Sequence, residues 1–365
     1  YYALHGDGLF DGSFEREFLG KYIEHDLFTK ALWPTSWFKL VGASFGRSDL
    51  AAEYYDASIF HGATYADLIK KKSRPFVILN ATDMSAGEQF SFIQDQFDLI
   101  CSDLSKLPIA RAVASSSAFP GLLTPLTYRN FAGTCGYQEP QWVGLANRDH
   151  RTAPERAKIA ERRRGYYSRN PWEGEKNYIH VIDGGVTDNI GLRGILFALQ
   201  GSDSSYSIQK LINRREIQKL LVIVVNAATD PESTRDSTSN VPGLVNVLTT
   251  AATIPLDRYS FDTVERARAI AKEYNAAVRT RKSCENILRS SCPQAKLPGG
   301  DLYAVDIFVS HVSFDLIDDP KTRFEFKNLP TTFKLPADTV NTLRRVAADL
   351  LRKDPEFNRL VDQLK

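Results

Sequence analysis

Two short stretches hold residue types that could do nucleophilic chemistry. VIDGGVTDN at 181 to 189 puts Asp183 at the exit of an apolar strand, ahead of Gly184, Gly185 and a helix. A carboxylate there would lie on the edge where α/β sheets gather their sites. The glycines would let the backbone turn tightly and approach a ligand, and Asn189 is suited to cap the helix. Asp-Gly is also a common hairpin dipeptide, but here a helix follows. The second stretch, GASFG at 42 to 46, frames Ser44 in a G-x-S-x-G pattern after WFKLV, a plausible short strand. Ser44, Asp183 and His311 occur in the nucleophile, acid, histidine order of an α/β-hydrolase triad.

Ser44 fits that role poorly. In a nucleophile elbow the helix begins at the serine, whereas Ser48 is the better N-cap, ahead of DLAAEYYD about one turn later. His311 follows Ile307 to Ser310 within a strand pattern, with no loop to carry it to a site. His180 and Asp183, three apart on a strand, point to opposite faces. The triplet Ser115, Ser116, Ser117 reads as packing at a helix end, and Gly191 and Gly194 as close-packing positions on one helix face.

The elements that must position these residues alternate in type. Strand patterns fall at 75–83, 177–185, 220–230 and 301–314. Helical spacing marks 109–118, 190–201, 257–281 (Val264, Ala267, Ile270, Ala271, Tyr274, Val278) and 340–351. LLVIVVNAATD is apolar on both faces, as in the middle of a parallel sheet. The alternation predicts an α/β layered fold with a largely parallel sheet. VPGLVNVLTTAATIPL at 241 to 256 reads as a core helix or part of an acyl-chain groove, distinguished by whether Leu248 is exposed.

The chain has 365 residues, 43% hydrophobic and 25% charged, with a net charge of +2. That is the make-up of a globular protein and lacks the basic excess of nucleic-acid binders. No apolar run reaches the roughly 20 residues of a membrane span. The four cysteines form no zinc pattern, and Cys284 and Cys292, eight apart in a loop-like stretch, could pair in an oxidising compartment. The only methionine is Met84, and residue 1 is a tyrosine that opens an uncapped apolar turn, YYALHGDG; the expectation is a chain whose first helix and translation start lie upstream.

Three further segments join VIDGGVTDNIGL: AVASSSAFPGLLTP at 112–125, GRSDLAAEYYD at 46–56 and ATYADL at 63–68. Together they resemble the bacterial patatin-like phospholipases, from residue 1 to about 200 and more weakly beyond. The resemblance implies a three-layer α/β/α fold and a serine-aspartate dyad. In that dyad Asp183, of the motif completed by Gly184 and Gly185, acts as base to a serine hydroxyl without a histidine. It also implies that the serine elbow and the oxyanion glycines lie before Tyr1, so that the chain as it stands would not catalyse. The domain expectation is a catalytic region at 1–225, with a basic insertion at about 140–176, continued at 226–365.

The implied activity is lipid acyl hydrolysis of phospholipase A or esterase type, on phospholipid or another acyl ester, with no metal or organic cofactor and no nucleic-acid partner. A bacterial envelope or secreted location is compatible with it. Residues 151 to 170 carry seven Arg or Lys against two Glu, either a solvated helix face or a patch meeting anionic lipid headgroups. Two other readings stay open: the Ser44, Asp183, His311 hydrolase, and a catalytically dead module that binds lipid or a partner.

Overall fold

The computed structural model describes residues 12–33, 38–42, 45–70, 75–146, 148, 150–152, 154–168, 175–200, 207–214, 216–229, 239, 241, 243–294, 305–330, 332 and 335–365. The chain is a mixed α/β protein that forms two compact units. One runs up to Thr187 and includes Thr332–Pro336; the other comprises Asp188–Thr331 and Ala337–Lys365. The expected division near residue 225 falls inside the second unit.

The first unit holds helices α1 (Arg47–Tyr55), α2 (Tyr65–Lys70), α3 (Ile109–Ser116) and α4 (Pro154–Tyr167). Its sheet consists of β1 (Asn80–Asp83), β2 (Glu88–Ser91), β3 (Leu126–Arg129) and β4 (Tyr178–Asp183), in the order β2-β1-β4-β3. Every pairing is antiparallel, which corrects the expectation of a largely parallel central sheet. The four-residue turn Met84 to Gly87 cannot carry a parallel crossover, which needs a dozen or more residues. Gly87 adopts a left-handed φ of 63° there. One face of β3 is solvated, its residues alternating buried and exposed, as antiparallel sheets permit. The expected strand at 75–83 shortens to its last four residues. Phe76 and Ile78, meant for its core, are exposed.

Phe90, Phe92, Phe97 and Tyr128 fill the centre of this unit with ring centroids 5.6 to 6.2 Å apart. On α3 the small residues Ala110, Ala112 and Ala114 are fully buried, letting neighbouring backbone come close. Cys101 and Cys135 form a disulfide. Cys284 and Cys292, read in the sequence as able to pair in an oxidising compartment, are free and exposed. The stretch read as loop-like belongs to a helix and its C-cap, where eight residues at 1.5 Å rise separate the two by about 12 Å, beyond the reach of a disulfide.

The second unit begins within the short helix α5 (Gly185–Asp188) and continues through α6 (Arg193–Gln200) and β5 (Lys219–Asn226) to the 48-residue α7 (Leu244–Ser291). β6 (Asp306–Ser313), α8 (Ala337–Lys353) and α9 (Pro355–Leu364) follow. β5 and β6 pair in parallel, as expected, but β5 is not the covered middle strand its apolar run suggested: among the described residues it pairs with β6 alone, and Ile223 and Val225 on one of its faces are exposed. On α7, Val264, Ala267, Ala271 and Val278 are buried at the expected helical spacing. Asn275 completes the contact: its side-chain amide donates to the Ile307 carbonyl (2.7 Å) and its oxygen accepts the Ile307 N–H (3.0 Å). Residues 244–256 are helical; Val247 and Ile254 are exposed, while the side chain of Leu248 lies outside the described residues. No described helix is long and apolar enough to cross a membrane.

Candidate active site

Asp183 ends β4, opposite Ala81 in β1. Its own N–H donates to the Ala118 carbonyl (3.0 Å), and the Gly184 N–H donates to the Ser116 carbonyl (3.2 Å). The strand exit is thereby bonded to the C-terminal end of α3, and two of the stretches read together in the sequence meet. Thr82 Oγ1 donates to the Asp183 carbonyl (2.8 Å) and shares a hydrogen bond with Thr187 Oγ1 (2.9 Å). These bonds fix the backbone on both sides of the carboxylate.

The carboxylate itself is held more lightly. Asp183 Oδ1 accepts the Gly185 N–H at 2.7 Å, and among the described residues that is its only hydrogen-bond donor. Burial pushes its pKa above the ordinary aspartate value, and the Gly185 N–H opposes this in part. A half-buried carboxylate with a raised pKa and one oxygen unengaged suits a general base.

Gly184 owes its identity to packing. It does not take a left-handed φ; a Cβ there would instead fall on the Asn80 carbonyl. We expect Gly184→Ala to break either the β1–β4 pairing or the bond to Ser116, at a cost of about 1–3 kcal/mol. Urea unfolding of the variant checks this, and an unchanged midpoint would refute it.

The helix expected after the motif is broken. α5 is one turn long, Gly191 takes a φ of 70°, and α6 starts at Arg193. Asp188, rather than Asn189, supplies the cap, its carboxylate accepting the N–H groups of Leu192 (3.3 Å) and Arg193 (2.9 Å). Gly191 is therefore a turn residue, and Gly194 is exposed; neither is a close-packing position.

The other segments join around α3. The Ser48 hydroxyl is buried and donates to the Thr124 carbonyl (2.5 Å) instead of capping α1. The N-cap is Gly46, whose N–H donates to Asp49 Oδ2 (2.9 Å). The other oxygen of Asp49 meets Arg111 at 2.6 Å, and Arg111 also donates to the Thr127 carbonyl (3.0 Å) and lies over the Tyr128 ring. This network ties α1, α3 and β3 together. Asp49→Ala removes both the ion pair and the cap, and an unfolding free energy lower by on the order of 2–3 kcal/mol is expected. Asp49→Asn, which keeps the cap, should lose less.

The serine triplet is largely structural. Ser115 Oγ donates to the Arg111 carbonyl (2.9 Å) and meets the Tyr128 hydroxyl (2.7 Å), and Ser117 Oγ donates to the Val113 carbonyl (3.1 Å). Ser44 lies outside the described residues. His311 sits within β6 of the second unit, its pKa held below the ordinary value by burial and then by Arg268. His180 is exposed, its Nδ1 2.9 Å from Thr127 Oγ1.

The basic helix α4 turns many of its charges inward. Arg162 pairs with Glu88 (2.5 Å), Arg163 with Asp95 (2.7 Å) and Arg164 with Glu139 (2.5 Å). Tyr166 packs on Phe90 and Tyr167 on Tyr137, and Trp172 lies outside the described residues. Among the described residues no three His, Cys, Asp or Glu gather as a metal site. Sequence reasoning missed Thr82 and the carbonyls of Ser116 and Ala118. A backbone acceptor leaves no trace in residue type, and Thr82 stood in a segment read only as strand.

Compared with known proteins, the chain matches no family model, no curated protein and no solved structure.

Proposed function

We propose that this chain belongs to an ester hydrolase of the serine-carboxylate kind, in which Asp183 takes the proton from an attacking serine hydroxyl. The observation that carries the reading is the Asp183 carboxylate: fixed by its backbone, half-buried at a strand exit, raised in pKa and, among the described residues, bonded only to Gly185 N–H. Within that class the reading is a lipid acyl hydrolase of phospholipase A or esterase type, with a three-layer patatin-like architecture. The meeting of the 112–125 and 181–192 segments around Asp183 supports it.

On this reading the serine and the oxyanion donors belong to residues preceding Tyr1. The hydroxyl oxygen attacks the ester carbonyl, Asp183 accepts the proton and returns it to the leaving alkoxide, and water then hydrolyses the acyl-serine by the same path. Oxyanion stabilisation falls to backbone N–H groups of the upstream turn.

A fluorophosphonate probe tests the proposal. Labelling of the protein extended upstream, at a serine before Tyr1, with none in the 365-residue chain, is the expected result. Labelling of Ser44 in the short chain would replace the dyad with a triad. Absence of labelling in both would favour the non-catalytic module.

A further inference from the structure

We infer that the C-terminal end of α7, residues 276–291, docks on an anionic membrane surface. The buried stripe of this helix runs through Val264, Ala267, Ala271, Asn275 and Val278 and stops there. The next positions on that face are Arg281 and Lys282, and from Arg279 to Ser291 every residue is exposed except the half-buried Glu285. At 100° per residue, Ala276, Ala277, Cys284, Ile287 and Leu288 share one side, with Ile287 60% and Leu288 43% exposed. Arg279, Arg281, Lys282 and Arg289 occupy the rest, against Glu285 alone, a net charge of +3. Arg281, itself exposed, reaches the half-buried Glu285 at 3.4 Å in an i,i+4 pair, which salt and a competing anion weaken.

An apolar strip flanked by cations is the pattern of a helix lying at a lipid interface. Its charge excludes a second copy of the same face, and its few apolar side chains fall short of the roughly 800 Å² per partner of a stable protein interface. A charged bilayer needs no such area, because each basic residue near it contributes about fivefold in partitioning. The basic helix α4, the candidate suggested by sequence, has Arg162, Arg163 and Arg164 committed to carboxylates. The inference goes beyond the proposed hydrolysis and does not depend on Asp183.

Sedimentation with phosphatidylcholine vesicles, with and without phosphatidylglycerol, is the test. The chain should bind only the anionic vesicles, and raised salt should release it. Arg279→Glu with Lys282→Glu should lower partitioning about 25-fold or more, Ile287→Ser with Leu288→Ser should weaken it, and Asp183→Asn should bind as the parent does. A polarity-sensitive dye on Cys284, with Cys292→Ser, should shift to the blue on anionic vesicles. The substituted positions on α7 and its C-cap are exposed, and an unchanged circular dichroism spectrum guards against misfolding. Equal binding to neutral vesicles, or binding untouched by charge reversal, would overturn the inference. So would retention on immobilised polyglutamate without vesicle binding, which would assign the face to an acidic protein.

Discussion

Asp183→Asn, made in the protein extended upstream of Tyr1, should lower ester hydrolysis by about 10²–10⁴-fold, the range for loss of a general base. The fold should survive, because an amide oxygen can still accept the Gly185 N–H that now binds Oδ1. The pKa shift makes this sharper. Burial raises the pKa of Asp183, so folding favours its protonated form and opposes its ionised form. That penalty is absent below the unfolded pKa, near 3.9, and is complete once the pH has risen through the higher folded value. At pH 7 the variant should therefore melt at or above the parent temperature, with the difference vanishing below about pH 4. In the parent, kcat/KM should rise with pH through an apparent pKa above 3.9, since the base works ionised. A variant that loses activity and melts lower would mark Asp183 as structural; one that hydrolyses normally would end its assignment as base.

Breaking the Cys101–Cys135 disulfide should produce the largest stability change. The bridge spans 34 residues, and closing a loop of that length is worth about 4 kcal/mol in the chain-entropy description. For a unit of this size that corresponds to a melting temperature lower by roughly 8–16 °C. Cys101→Ser and Cys135→Ser should each show it, and added reductant should lower the parent to the same value. Performing the comparison in a Cys284→Ser, Cys292→Ser background isolates the bridge, because both of those thiols are exposed and free. No response to reductant, or unmodified thiols at Cys101 and Cys135 in the oxidised protein, would show that the pair is not joined. The bridge also suits an oxidising compartment.

The contrast between the two cysteine pairs shows how much was legible in advance. Cys284 and Cys292 are near in sequence and looked pairable, but an α-helix sets them apart at a fixed rise. Cys101 and Cys135 gave no cue, because their approach depends on how the chain folds back between them. The basic segment repeats the lesson. Its composition is plain in the sequence, whereas its ion pairs join Arg162, Arg163 and Arg164 to residues between 25 and 75 positions away.

By itself the sequence determined what local physics controls. The 3.6-residue period of α7 from Val264 to Val278, the paired apolar runs of β5 and β6, and an aspartate at a strand exit followed by two glycines were all legible there. Strand direction was not. The same apolar alternation serves parallel and antiparallel neighbours, and only tertiary contacts made β1 to β4 antiparallel. The cap of α1 likewise passed from Ser48 to Gly46 and Asp49, because burial against Thr124 took up the serine hydroxyl. For Asp183 the sequence supplied the carboxylate and its place. Its raised pKa and its bonds to the end of α3 came only with the fold, because desolvation and backbone bonding arise from segments distant in the chain.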